Sequence, residues 1–348
     1  MKKVFAIILA LALGLSLVAC GGGNSKAVDI AVLVPNADHG WTGAVMTYAE
    51  EYVAKINDEG KYTATVITST DAANQISQIE DLIENKTAKN VVILPQDNTV
   101  EASMKKLAAS GIPFVMFDRI IDSVSADAVA SVKGDNNGIG AETAKRFIAN
   151  GMKPGDKILI MPGDNSSVPG MRNDGFKGVL LENGWTQEQV DAIESTDYTG
   201  WSRAKGKELF TAWLDSHTVE EITACKWIFT HDDEIAMGIL EALKSSEIDA
   251  EKKAAFYAAK PHIGTSSGLN EIYSVLKGIH QKDYTAEVAE LGDLFSVTYD
   301  PAMIQTAIQD MIDSIEGKAV TADHVIPVSV VDATNVNEFQ GFGDPVSK

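Results

Sequence analysis

The residues able to do chemistry gather in short stretches: Pro35-Asn36-Ala37-Asp38-His39-Gly40-Trp41-Thr42, Pro95-Gln96-Asp97-Asn98, Asp118-Arg119, Pro162-Gly163-Asp164-Asn165 with Arg172 beyond it, His231-Asp232-Asp233-Glu234, and Tyr299-Asp300-Pro301. Trp201 stands apart from these. Carboxylates, amides and guanidinium groups are planar and present their hydrogen-bonding atoms in pairs, so they can satisfy neighbouring hydroxyls two at a time. Aromatic rings such as Trp41, Trp201 and Tyr299 cover faces made of C–H bonds. Together these are the means of holding a pyranose or polyol, which carries hydroxyls around its rim and apolar patches on its faces. Enclosure away from water strengthens every such bond.

Residues this far apart in sequence meet only if the fold carries them to one place. Most of the stretches follow short β-branched runs that read as strands: Val28 to Val34, Thr63 to Thr68, Val91 to Leu94, Phe114 to Phe117, Lys157 to Met161, Trp227 to Thr230 and Phe295 to Thr298. Amphipathic patterns lie between them. Ile76, Ile79 and Ile83 share one helical face, and Ile304, Ile308, Met311, Ile312 and Ile315 form a stripe at helical spacing. Pro301 is expected in the first turn of that last helix, where its missing N–H does no harm. Alternating strand and helix implies an α/β fold with parallel sheets covered by helices on both faces. The units before about residue 134 build one sheet and those after it another. Ligands meet such sheets at the carboxyl ends of the strands, which is where the polar stretches fall.

The N-terminus has a different character. Lys2 and Lys3 precede an apolar run from Val4 to Ala19, which is short for a membrane span, and Leu17-Val18-Ala19-Cys20 is followed by Gly21-Gly22-Gly23-Asn24-Ser25. This resembles a bacterial lipoprotein signal, which implies that residues 1–19 are removed, that Cys20 is lipidated and that residues 20–27 are a flexible tether. The expected location is extracytoplasmic, lipid-anchored at the cell membrane. The chain of 348 residues has room for two medium domains, and its 45% hydrophobic content is that of an ordinary core. A formal net charge of −20 repels nucleic acid and anionic headgroups, so no nucleic-acid partner is expected. Of two cysteines, Cys225 would be left without a partner, as a small buried residue rather than a nucleophile.

Five matches, in order along the chain, carry a resemblance: Phe117-Asp118-Arg119 at a strand end, Arg172-Asn173-Asp174-Gly175-Phe176, Asp232-Asp233-Glu234-Ile235-Ala236-Met237-Gly238, the Gly264-Thr265-Ser266 turn and Tyr299-Asp300-Pro301. Over essentially its whole mature length the chain resembles the periplasmic sugar-binding proteins of the ribose/galactose type. The resemblance implies a periplasmic binding protein fold of type I, two Rossmann-like domains joined by a three-strand hinge. The lobes would be 28–133 plus 300–325 and 134–299 plus 326–348, with crossings near Gly134, Tyr299 and Val325. It also implies a monomer without cofactor that closes over a monosaccharide and delivers it to an ABC permease. Asp118 and Arg119 match an acid–base pair gripping neighbouring hydroxyls, Arg172 a second arginine, and Trp201 and Trp41 rings stacking on opposite faces of the sugar. Asp232, Tyr299, Ser266 and Leu94 stand where ribose-type relatives have asparagine, glutamine, aspartate and asparagine, which argues against ribose itself. Gln96 and His39 are expected to supply polar groups that the family takes from elsewhere. Replacing Arg172 or Asp118 by Ala is expected to abolish binding and leave the unfolding of the empty protein almost unchanged.

Other functions leave weaker marks. The many carboxylates leave a glycosidase pair open, but there is no G-x-S-x-G, no Walker loop, and no G-x-G-x-x-G after a strand. The Gly-rich run from Gly134 to Gly140 has the wrong spacing for a dinucleotide and is expected to open a helix. Six histidines form no HxxxH or HxH pair, and no D-x-[DN]-x-[DN]-G run appears, so neither zinc nor calcium is expected. Asp232-Asp233-Glu234 most simply opens a helix, where carboxylates suit the positive dipole end. A repressor sharing the sensor fold would need a DNA-binding headpiece where this chain has its signal. A subunit presenting bound sugar to a membrane kinase or chemoreceptor would share the same captured ligand and closure, and stays open.

Overall fold

The computed structural model describes residues 27–37 and 40–343. Cys20, the signal segment and His39 lie outside the described residues. Twelve strands form two six-stranded sheets. The first contains β1 (Val28–Pro35), β2 (Ala64–Ser69), β3 (Ala88–Ile93), β4 (Phe114–Phe117), β5 (Ala130–Gly134) and β11 (Asp323–Ile326), in the order β11-β5-β4-β3-β1-β2. The second contains β6 (Lys157–Met161), β7 (Glu194–Ser195), β8 (Cys225–Thr230), β9 (His262–Ser266), β10 (Asp293–Thr298) and β12 (Ser329–Val331), in the order β12-β10-β9-β8-β6-β7. Every pairing is parallel except β10 with β12, so the expectation of wholly parallel sheets is corrected at one edge. A link of two residues separates β11 from β12, and it passes from one sheet to the other.

Both faces of each sheet are buried, which is why the strands read as continuous apolar runs. In β1, Ile30, Val32 and Val34 face Val45, Ala49, Val53 and Ile56 of the helix Gly40–Glu59, while Ala31 and Leu33 face Ile79 and Leu82 of the helix Ala72–Asn85. In the second sheet, Ile160, Phe229 and Phe295 pack on Phe147 and Phe176. Leu159, Met161 and Ile228 pack on Phe210, Ile235 and Ile239. The stripe of the helix Met303–Ile315 is buried through Ile304, Ile308, Met311 and Ile312, each contributing about 1.5–3 kcal/mol. Ile315 at its end is exposed.

Three local expectations change. Pro301 precedes the helix instead of entering it, because the Asp300 carboxylate accepts the N–H of Ala302 at 2.8 Å and makes a turn that delays the helix to Met303. Gly264-Thr265-Ser266 is the end of strand β9, not a turn. Strands β5, β7, β9, β11 and β12 carry no long β-branched run and are not among the runs read as strands. Cys225 is buried as expected, and burial followed by the charge of Glu194 pushes its thiol up to about 12, which leaves it unreactive. Among the described residues, no helix is long and apolar enough to cross a membrane.

Candidate functional site

The carboxyl ends of the two sheets face one cavity of about 260 Å³. Trp41, Gln96, Asp118, Arg119, Arg172, Trp201, Asp232 and Tyr299 all line it, as does Glu234. Of the other two residues expected in the site, one is outside the described residues and one lies behind the wall. His39 lies outside the described residues, and Ser266 is fully buried behind the wall, where its hydroxyl accepts from Arg172 Nη1 and donates to the His231 carbonyl, both at 2.8 Å. Its neighbour Ser267 lines the cavity instead, with a φ of 138° that turns the chain at the end of β9.

Local backbone geometry aims the first wall. Asp118 follows β4 in the left-handed region at φ 59°, and its N–H donates to Val132 of β5 at 2.8 Å. That conformation costs about 1–2 kcal/mol for a residue with a Cβ and persists because neighbouring strands impose it. The carboxyl thereby turns inward and becomes buried. Tyr299 Oη donates to Asp118 Oδ1 at 3.1 Å and lies 3.2 Å from Asn136 Oδ1. Burial raises the Asp118 pKa above the usual carboxylate range, opposed by the charges of Arg119 and Arg172. The Arg119 guanidinium donates to the Gln96 carbonyl. Trp41, in the first turn of its helix, stacks on Phe117 at 5.9 Å between centroids and stands edge-on to Tyr299 at 5.7 Å.

The second wall is built on close approaches. The helices Asn136–Ala149 and Ser167–Glu182 cross where both have glycine. A Cβ on Gly140 would sit 1.9 Å from the Arg172 carbonyl, and one on Gly175 would sit 1.9 Å from that of Asn137. This crossing brings Asn136 Oδ1 within 2.9 Å of Arg172 Nε. Arg172 Nη1 also donates to the His231 carbonyl, and its guanidinium carbon lies 5.5 Å from the centroid of the Trp201 ring. Trp201, at φ 61°, lays its ring on Gly163, where a Cβ would meet it at 2.3 Å. Tyr299 lies on Gly134 in the same manner. Both glycines end or follow a strand, so each ring occupies space that a side chain there would fill.

Asp232 opens a helix as expected, and it also reaches the cavity. It caps the helix Asp233–Lys244 by accepting the Glu234 N–H at 2.8 Å, and it lines the cavity. Burial, then the charge of Asp233, raises its pKa well above the usual value. Asp233 is buried behind it and accepts the N–H groups of Gly268 and Leu269 and the hydroxyl of Ser296. Burial and then Arg172 hold His231 well below the usual imidazole range, so it is neutral. Glu234 was read only as a helix opener, yet it lines the cavity and accepts from Arg203 Nε at 2.7 Å. Asn136 was hidden inside the Gly-rich run. The indole N–H groups of Trp41 and Trp201 are buried without a partner within the described protein. The cavity is thus lined by three carboxylates, two guanidinium groups and flat apolar rings. Among the described residues no cluster of His, Cys, Asp or Glu is placed to hold a metal ion.

The geometry also revises one expectation. Removing Arg172 would take a buried donor from Asn136, Ser266 and the His231 carbonyl, leaving Asn136 with the Tyr299 hydroxyl and the His231 carbonyl with the Ser266 hydroxyl, so the empty protein is expected to lose stability.

Comparison with known proteins agrees with this architecture. The family model described as "Periplasmic binding protein domain" matches residues 30–266. The ribose import binding protein of Bacillus subtilis (strain 168) is 28% identical over 261 residues, covering 72% of this chain and 79% of that one. The fructose import binding protein of Bifidobacterium longum (strain NCC 2705) is 22% identical, covering 97% of this chain and 96% of its own length. The crystal structure of the Caulobacter myo-inositol binding protein bound to myo-inositol superposes with a TM-score of 0.70 at 19% identity, covering 92% of this chain and 97% of that one. These relatives are named as binding proteins, and the resemblance drawn from the sequence motifs is upheld. The chain belongs to the periplasmic binding protein family.

Proposed function

We propose that the chain is the substrate-binding protein of an ABC importer and captures a monosaccharide or polyol in the cavity by hinge closure. Family membership implies work outside the cytoplasm. The lipid anchor on Cys20 is part of the same proposal, as are lobes of 28–133 plus 300–325 and 134–299 plus 326–348. The observation that carries the reading is the lining of the cavity: Asp118 and Arg119 from the ends of the first sheet oppose Arg172 and Asp232 from the second, with Trp41, Trp201 and Tyr299 between them. A ligand held by both sets of groups stabilises the closed arrangement over the open one, which is how binding shifts the population.

A thermal-shift panel of D-ribose, D-xylose, D-fructose, D-galactose, L-arabinose, myo-inositol, xylitol and glycerol tests it. At a hundredfold excess over its dissociation constant, a bound guest should add about 2.7 kcal/mol of stability. A panel in which no sugar or polyol moves the melting point, at concentrations up to the millimolar range, would sink the reading.

A further inference from the structure

The loops carrying Arg119 and Asp164 leave different sheets, one after β4 and the other after β6. Yet Arg119 Nη2 and Asp164 Oδ2 lie 3.7 Å apart. The same side of the cleft is bridged again where Asn98 Nδ2 donates to the Asn165 carbonyl at 3.5 Å. Asp164 is firmly placed: its Oδ1 accepts the N–H of Ser166 at 2.9 Å and the Ser166 hydroxyl at 2.5 Å, which leaves Oδ2 for the arginine. Asp164 does not line the cavity, whereas Arg119 does. The two side chains are 22% and 12% exposed, so solvent and salt screen the pair only in part.

We propose that Asp164 is a positioning residue of the site, which reaches from the second sheet to fix the Arg119 guanidinium of the first. The proposal rests on the reading of the cleft as one that opens and closes. Opening parts the two loops, so Arg119 is tethered by Asp164 in the closed form and released from it in the open form. Closure therefore gains an ion pair that no ligand supplies. Two consequences follow. The empty protein populates the closed form to a degree that falls with ionic strength, and a bound guest leaves more slowly because opening must break the pair.

Asp164→Asn tests this cleanly, because the amide oxygen can still accept from Ser166 while the charge is lost. Small-angle scattering of the empty protein at about 0.02 M and about 0.5 M salt reads the closed population, since the Debye length falls severalfold between them. The parent should expand as salt rises. Asp164→Asn should be expanded at both salts and indifferent to the change, Asp164→Glu should restore the response, and Asp197→Asn, which removes an exposed carboxylate of the same lobe, should behave as the parent. With the panel sugar that gives the largest thermal shift, Asp164→Asn should dissociate about two- to fivefold faster with little change in association rate. A parent without a salt response, or an Asn variant that keeps the parent's response, overturns the proposal. Absence of any binding sugar would instead count against the proposed function, and the scattering would still decide the role of Asp164.

Discussion

On the wall that continues the second sheet, Arg172 is held by Asn136, Ser266 and the His231 carbonyl and faces the Trp201 ring, all from segments of that same half. On the wall that continues the first, Asp118 is held by Tyr299, which follows β10 of the other sheet, and Arg119 is met by Asp164, which follows β6 of the other sheet. One wall is complete in itself. The other holds Arg119 through the Gln96 carbonyl of its own side, and its charged groups are otherwise met by what reaches across to it. A prefabricated wall binds without reorganisation, because its ordering cost is met on folding. A wall completed from across the cleft couples the geometry of the site to the separation of the lobes. Under the proposed function, the pairing of the two would let a guest be met on one side and closure be read through the other.

The sharpest way to break this comparison is to remove the centre of the prefabricated wall. Arg172→Met should cost about 3–5 kcal/mol of stability, since it strips a buried donor from three acceptors, and should abolish sugar binding. Denaturant unfolding of the empty protein checks the first part. If stability is unchanged, Arg172 is not integrated as the contacts indicate. Gly163→Ala should follow in size. Its Cβ would meet the Trp201 ring at 2.3 Å, and overpacking of this kind costs about 1–3 kcal/mol. The ring must move off its position, so sugar affinity should fall with it, measured by calorimetry. Equal affinity in parent and variant would remove Trp201 from the binding surface.

The unequal construction of the walls also decides how much of the site can be read from sequence. Asp118-Arg119 and Asp232 are legible because they directly follow strong β-branched runs, and strand ends converge. The stripe from Ile304 to Ile312 is legible because burial follows its period. The supports of Arg172 are not. Ser266 ends a strand whose sequence, His262 to Ser266, has only two β-branched residues, Ile263 and Thr265, separated by a glycine, so neither the strand nor its alternation announces itself. With that alternation hidden, Ser266 was assigned to the cavity when its neighbour Ser267 takes that place. Asn136 sits in a Gly-rich helix start, where its side chain looks like turn chemistry. Its role depends on the Gly140–Gly175 crossing between two helices, a contact of tertiary origin that no local pattern encodes.

Asp232→Asn sharpens the comparison through pH. Burial and Asp233 raise the carboxyl pKa of the folded state above its free value of 3.8. The folded state therefore binds that proton more tightly than the unfolded chain does. The associated stability is fully present below about 3.8 and is lost as pH rises through the raised folded value. Above about pH 3.8 the empty parent therefore loses stability that the amide, which does not titrate and can still cap the helix, keeps. Asp232→Asn should melt about 2–4 °C higher than the parent at pH 7, a gain near 1 kcal/mol, with the difference shrinking toward pH 4. Sugar affinity should fall, as expected if the ionised acceptor is there for the guest. A gain that stays constant with pH would show that the Asp232 carboxyl binds its proton equally in the folded and unfolded chains, so that burial does not raise its pKa.

The smallest effect is expected from Tyr299→Phe, and it bears most directly on the wall completed from across the cleft. The ring packs on Gly134 and edge-on to Trp41, and Phe keeps both contacts. What is lost is one hydroxyl, whose bonds to Asp118 and Asn136 are long at 3.1 and 3.2 Å, so stability should fall by only about 0.5 kcal/mol. Its effect on binding should be larger than that figure implies. Without the hydroxyl, Asp118 loses the donor that orients it, and the carboxyl must be ordered by the guest when it binds. Affinity should drop about fivefold, more than the loss of stability alone would predict. The same substitution leaves Arg172 tied to Asn136, Ser266 and the His231 carbonyl, so the prefabricated wall loses only the hydroxyl's bond to Asn136. A double variant with Asp118→Asn, measured by calorimetry, separates the two roles. If Tyr299 acts through Asp118, the double variant binds no worse than Asp118→Asn alone. If the two losses simply add, Tyr299 touches the guest on its own account and the first wall does not rely on it for orientation.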